Sequence, residues 1–161
     1  MELQSEERQA FQRREWTVQR FGTLVLVAFI VAGFLGLLGA GPLATTTSSS
    51  SQGMVTVEHD WIVRANAETT MHVTIAPEAV EDDTVTLEIT GRWVSGVDLE
   101  SISPDLVEQH AIPDGTALTF MVEPSSDIDV SLTLVPQELF QREAQVTVAE
   151  ETVLFNQFAL P

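Results

Sequence analysis

The pattern of apolar and polar positions changes character along the chain. Residues 21–43 read FGTLVLVAFIVAGFLGLLGAGPL, without one ionisable side chain. Such a run predicts an apolar helix. At about 1.5 Å of rise per residue, about 20 residues cross a hydrocarbon core of about 30 Å. The run is long enough for one crossing, and no second run of its kind occurs. Residues 5–20 (SEERQAFQRREWTVQR) lack Gly and Pro and are rich in Glu, Gln and Arg. They predict a helix capped by Ser5, with Glu6 and Glu7 in its first turn. Phe11 and Val18 share a face of it while Trp16 lies well round the helix, so its amphipathic pattern is weak.

Beyond Gly53 the period becomes two. Val55, Val57, His59, Trp61 and Val63 alternate with polar residues. So do Met71, Val73 and Ile75; Val85, Leu87 and Ile89; Leu118, Phe120 and Val122; Ile128, Val130, Leu132 and Leu134; and Val146 and Val148. A last run over 152–160 alternates less cleanly, through Val153, either Leu154 or Phe155, then Phe158 and Leu160. Pro, Asp and Gly clusters at 76–77, 81–83, 104–105, 113–115, 124–127 and 136 separate the runs. Seven or eight short strands predict a mainly β fold, an extracytoplasmic antiparallel β-sandwich of immunoglobulin-like outline over 54–161. Trp61 and Trp93 are its expected large core side chains. Residues 137–142 (QELFQR) are expected as a short helical turn. Residues 45–53 (TTTSSSSQG) are a low-complexity polar tract, expected as a flexible tether. The expected order is therefore a cytoplasmic juxtamembrane helix (1–20), a transmembrane helix (21–43), a Ser/Thr-rich tether (44–53) and the external domain (54–161).

Charge sharpens this division. Residues 1–20 balance Arg8, Arg13, Arg14 and Arg20 against Glu2, Glu6, Glu7 and Glu15. The formal net charge of −17 thus belongs to residues 42–161, where Arg64, Arg92 and Arg142 are the only arginines and Lys is absent. So acidic a surface repels phosphates and argues against nucleic-acid binding. It reads first as adaptation to high salt, where screening removes self-repulsion, and second as a patch that attracts cations or steers a partner. The four arginines before the span, with none after it until Arg64, place the N-terminus in the cytoplasm and the acidic domain outside. A cleaved signal peptide is the rival reading. The apolar run is longer than the usual signal core, and Pro42 follows the small residues Gly39, Ala40 and Gly41 that would form a cleavage site.

Within the apolar run, Ala28, Ala32, Gly36 and Ala40 recur every fourth residue. They form one stripe of small side chains, the pattern that lets two helix backbones approach in lipid. Arg13, Arg14, Trp16 and Arg20 suit the membrane interface, as aromatic belt and lipid-phosphate contacts. The run has no charged residue, His, Asn or Gln that would serve ion conduction or proton relay.

Candidate chemistry is sparse. There is no cysteine, so disulfides, thiolate chemistry and Cys-based zinc sites are excluded. His59, His72 and His110 match no metal-binding spacing, and the acids at 81–83 and at Asp127 and Asp129 lack a calcium-loop pattern. They read as solvated turns. The paired carboxylates Asp98 and Glu100 have no accompanying acid–base motif. No nucleophile elbow, P-loop, zinc-protease or dinucleotide signature occurs. No catalytic residue, cofactor or metal is therefore assigned, and a non-enzymatic role is expected.

The stretch ERQAFQRREWTVQRFG, followed by LGLLGAGPLATTT and, at the end of the chain, VLFNQFALP, resembles an uncharacterised group of small bacterial single-pass membrane proteins with an FQRREW-type juxtamembrane motif. The resemblance spans the chain, and its motifs are structural, not catalytic. Members of that group are often encoded beside YetF-like membrane proteins, so the resemblance implies a YetF-like membrane-protein partner. It implies no site residues, and the acidity of residues 42–161 departs from it. The expected function is a membrane-anchored accessory or assembly protein that engages another membrane protein. The alternative is an exported cell-envelope module that binds a ligand or a cation.

Overall fold

A computed structural model describes residues 3–34, 44–80, 83–123, 126–137 and 139–161. One continuous helix, α1 (Leu3–Phe34), covers the Glu/Gln/Arg-rich segment and the first part of the apolar run without a break at residue 20. Among the described residues, no helix is long and apolar enough to cross a membrane. Residues 35–43, the second part of the expected span, lie outside the described residues, and Gly36 and Ala40 lie there with them.

The two-residue period is realised as eleven strands among the described residues. They are β1 (Thr45–Ser49), β2 (Val55–Asp60), β3 (Ile62–Arg64), β4 (Thr69–Ile75), β5 (Thr84–Thr90), β6 (Val97–Ser103), β7 (Leu106–Ile112), β8 (Gly115–Met121), β9 (Ile128–Pro136), β10 (Phe140–Val148) and β11 (Glu151–Leu160). They form two sheets, ordered β1-β2-β4-β9-β6 and β3-β11-β10-β5-β8-β7. Every pairing is antiparallel except that of β3 with β11, which is parallel and sets Phe158 opposite Ile62. The inward faces meet in one core. Val55, Val57, Met71, Val73, Ile75, Val130, Leu132 and Leu134 come from the first sheet, and Val85, Leu87, Ile89, Leu118, Phe120, Val146, Val153 and Phe155 from the second. The expected mainly β sandwich is thus present, and the alternation of β4 and β9 lies in the expected phase.

Four details differ from the sequence reading. The first is the polar tract, which is an edge strand where a tether was expected. β-Branched Thr suits a pleated surface, and the hydroxyls at both ends of the strand find partners close by. Thr45 Oγ1 donates to Asp60 Oδ1 at 2.8 Å, and Ser49 Oγ lies 3.1 Å from Thr56 Oγ1. The turn to β2 is held by the Val55 N–H donating to Ser50 Oγ at 3.1 Å. It is also held by Gln52 Nε2 donating to Glu151 Oε1 at 2.7 Å.

The second is Trp61, which is 39% exposed and not in the core. It stands where the chain leaves the first sheet for the second. Its N–H donates to Ala44 O at 2.9 Å and its carbonyl accepts from Phe158 N at 2.8 Å, so its backbone bridges the two sheets. Trp93 is buried as expected. The third is the segment 137–142, whose latter part starts β10 and forms no helical turn. Phe140, Gln141 and Arg142 pair with Ala159, Phe158 and Gln157, and this long ladder overrides helix propensity. The fourth is the phase of β11. Val153, Phe155, Gln157 and Ala159 point inward, while Leu154 and Phe158 point outward.

The β10–β11 turn places Ala149 and Glu150 at φ of 47° and 70°. Both central residues of such a two-residue hairpin need positive φ, which Asn-Gly adopts with little strain. Replacing the pair by Asn-Gly is expected to stabilise the domain by about 1 kcal/mol, read as a higher urea midpoint.

Candidate functional site

The residues expected at the membrane interface, Arg13, Arg14, Trp16 and Arg20, all sit on α1. Arg20 places its guanidinium carbon 3.6 Å from the centroid of the Trp16 ring, a cation–π contact. Thr23 Oγ1 donates to Gln19 O at 2.9 Å on the next turn. Arg13 and Arg14 lie on the same helix; their side chains are outside the described ones. Ala28 and Ala32 fall four residues apart on α1 and so share a stripe. Around them the helix is bare. Phe21, Leu24, Val25, Leu26, Val27, Phe29, Ile30, Val31 and Phe34 are all exposed.

In the sandwich, the three histidines separate. His110 is exposed on β7, an edge strand of the second sheet. His59 and His72 border a hollow of about 410 Å³ on β2 and β4, with Glu58, Asp60 and Glu68. Among the described residues, no group of three or more His, Asp or Glu side chains is arranged to hold a metal ion. Asp129 accepts from Thr74 Oγ1 at 2.9 Å, which ties one expected acid cluster into the first sheet. Glu81 and Asp82 lie outside the described residues. Asp98 and Glu100 are exposed along the edge strand β6, where a bulge shifts the register.

His59 is the one histidine inside. Its ring packs against that of Phe155, with centroids 4.5 Å apart, and Nε2 lies 3.4 Å from Asn156 O. Nδ1 is buried and has no hydrogen-bond partner among the described residues. Burial pushes its pKa below the ordinary value of 6.5, opposed by the Asn156 carbonyl, the Asp60 charge and the Val57 backbone. The imidazole therefore folds in its neutral form. Unfolded chains bind a proton at about pH 6.5, before the folded one does. Stability is complete above that pH and falls as pH drops through 6.5, with a slope of up to about 1.4 kcal/mol per pH unit. Comparing urea midpoints of the native protein and His59→Phe between pH 8 and 5 checks this. The native protein is expected to lose more stability on acidification than the variant, and equal slopes would contradict the assignment.

Beside the histidine lies a polar chain that the sequence pattern did not indicate. Trp93 Nε1 donates to Gln157 Oε1 at 2.7 Å, and Gln157 Nε2 donates to Asp60 O at 2.9 Å. Phe155 meets the Trp93 ring edge-on at 5.5 Å. A Gln inside a strand reads as a solvent-facing residue unless its two partners, 64 and 97 residues away in sequence, are known.

A second constellation surrounds Gly91. The ladder between β5 and β10 ends at Thr90 and Gln145, and the segment 91–96 continues beyond it. Gly91 holds φ at 110°, and a Cβ there would stand 2.9 Å from Glu143 O. Gly91→Ala is therefore expected to cost about 1–3 kcal/mol through backbone strain, measured by urea unfolding. The 3-10 turn Val94–Gly96 follows, and Trp93 at its head enters the core from this loop. Arg142 Nη1 reaches across from β10 and donates to Arg92 O at 2.8 Å and Ser95 Oγ at 3.1 Å.

Compared with known proteins, the chain matches no family model and no curated protein.

Proposed function

We propose that the chain is a non-enzymatic, single-pass membrane-anchored protein that serves as an accessory or assembly subunit of another membrane protein. Its N-terminus lies in the cytoplasm and its acidic sandwich, immunoglobulin-like in outline, lies outside. The observation that supports this reading is the unburied apolar surface of α1, where Phe34, for example, is 81% exposed. Burying each such side chain is worth about 1.5–3 kcal/mol. A helix apolar on all sides finds that burial in lipid or against another apolar helix. The uncharged sequence continues through residues 35–43 and supplies the length for one crossing.

The arginines at 8, 13, 14 and 20 support the orientation, and Trp16 with Arg20 suits the cytoplasmic interface. Ala28, Ala32, Gly36 and Ala40 are the stripe on which a partner helix packs in the bilayer. The resemblance to single-pass proteins encoded beside YetF-like proteins makes a YetF-like protein the first partner to test. Alkaline washing of membranes, followed by solubilisation in mild detergent and affinity purification of the full chain, tests both halves of the reading. The protein is expected to stay in the membrane pellet through the wash and to bring a second membrane polypeptide with it. Recovery of the intact chain in the aqueous wash would overturn the anchoring. A chain that always purifies alone would overturn the accessory role.

A further inference from the structure

Two neighbouring strands of the first sheet stop pairing before either of them ends. The β2–β4 ladder runs from Val55 opposite Ile75 to Glu58 opposite His72 and goes no further. β2 continues to Asp60 along β1, and β4 begins at Thr69 along β9. A slot is left between residues 59–60 of one strand and 69–70 of the other. The hollow of about 410 Å³ lies there, lined by residues of both strands.

Its lining combines unpaired acceptors with acids. His59 Nδ1 and Thr69 Oγ1 are both buried, and neither has a hydrogen-bond partner among the described residues. They flank the slot from its two strands, and the His59 side chain is 98% removed from solvent, with 2% exposed. The state of the ring follows from its other nitrogen. Nε2 lies 3.4 Å from Asn156 O, and a carbonyl only accepts, so Nε2 carries the proton of the neutral imidazole. Nδ1 is left as a lone pair that calls for a donor. At the rim stand the carboxylates of Glu58, Asp60 and Glu68. Thr45 Oγ1 donates to Asp60 Oδ1 at 2.8 Å and holds that carboxylate in place. Among the described residues no arginine lines the hollow.

We propose that this slot is a binding site for a primary ammonium group carried on an alkyl stem. One ammonium nitrogen brings three N–H donors and a positive charge. The donors suit His59 Nδ1 and the Thr69 hydroxyl, and the charge suits the three rim carboxylates. A bare divalent ion is disfavoured, because among the described residues no three His, Asp or Glu side chains are arranged to ligate one. The ammonium belongs either to a free alkylamine or to the side chain of a lysine. The site is independent of the membrane reading, since every residue in it belongs to the sandwich.

The test uses the full chain in a non-ionic detergent at pH 8 and fixed ionic strength. Near that pH an alkylammonium, with a pKa of about 10.4 like that of Lys, keeps its charge. The chain is titrated with butylamine, acetyl-lysine-methylamide, tetramethylammonium and calcium. Binding is read from the Nδ1 signal of His59 and the backbone amide signals of Asp60 and Thr70. Butylamine or the lysine derivative is expected to saturate these shifts. Tetramethylammonium has the same charge and no N–H, so it is expected to leave them unsaturated, and so is calcium. Saturation by butylamine alone assigns a free amine as the source, and saturation by the lysine derivative assigns a side chain. His59→Phe removes the acceptor and is expected to weaken binding about tenfold or more, as loss of a charge-assisted hydrogen bond implies. Thr69→Val, which removes only a hydroxyl, is expected to weaken it several-fold and decides the matter if His59→Phe does not fold. Equal response to tetramethylammonium and butylamine would reduce the site to general charge attraction and overturn the proposal. Saturation by calcium, unchanged binding in both variants, or no saturable shift with either amine would also overturn it.

Discussion

Trp93→Ala is expected to bring the sandwich close to unfolding in water. Removing a fully buried indole costs about 3–5 kcal/mol. Trp93 is 2% exposed, and the void would lie against Phe155 and beside Gln157. A second cost follows from the hydrogen bond. With the indole N–H gone, Gln157 Oε1 remains buried without its donor, which adds about 1–3 kcal/mol. Single domains are stable by only about 5–15 kcal/mol, so the sum is comparable with the whole. Trp93→Phe helps to separate the two parts, since it removes the donor while keeping a six-membered ring and so opens a smaller void than Ala. Trp61→Ala supplies the contrast, because that ring is already 39% exposed. Urea unfolding followed by far-ultraviolet circular dichroism gives all three values. A loss for Trp93→Ala no greater than for Trp61→Ala would contradict the assigned core.

Raising salt is expected to stabilise the sandwich strongly and without regard to the identity of the cation. The acids project from both outer faces. Glu58, Asp98, Glu100 and Asp129 lie on the first sheet, and Glu88, Glu108 and Glu143 on the second, all of them exposed. Three arginines cannot balance them. At 0.1 M salt the Debye length of about 10 Å spans neighbouring strands, and at 1 M it contracts to about 3 Å, shorter than their spacing. Relief on the order of 2 kcal/mol between these conditions would raise the thermal midpoint by about 10 °C for a domain of this size. Sodium and potassium chloride are expected to act alike. Millimolar calcium at constant ionic strength is expected to add nothing. A gain produced by calcium alone would contradict a screening origin and point to a specific cation site.

Where one face of a strand is simply apolar, the pattern of the chain was enough to read the fold. Met71-Val73-Ile75 and Ile128-Val130-Leu132-Leu134 announce both strand and inward face, because nothing polar competes for those positions. Legibility ended where the inside is polar or the outside apolar. Val153 and Phe155 point inward as one expected reading had them, but Gln157 inside and Phe158 outside invert the expected phase of the second half of β11, and the bonds to Trp93 and Asp60 explain that inversion. The Ser/Thr tract has tether composition, yet its hydroxyls and the Glu151 carboxylate anchor it as a strand and turn. Trp61 alternates in phase with Val57 and His59, but the chain turns to the other sheet at that residue and carries the ring outward. Arg92 and Arg142 are 50 residues apart, and no spacing in the sequence hints that a glycine-bent loop joins them. Of the interface residues, Trp16 and Arg20 read from the sequence as separate belt and lipid-phosphate contacts, and only the helix sets them against each other one turn apart.

The passage of the chain at Trp61 also limits how the domain can come apart. β2 runs into β3 there, from one layer to the other, and on the far flank β6 runs into β7 through residues 104–105. Each flank is thus laced by the polypeptide itself, so neither layer can lift away like the cover of a book. Disassembly has to begin by fraying an outermost ribbon. β1 is the natural place, because it joins its layer only along β2 and the rest of the weave stays closed when it peels.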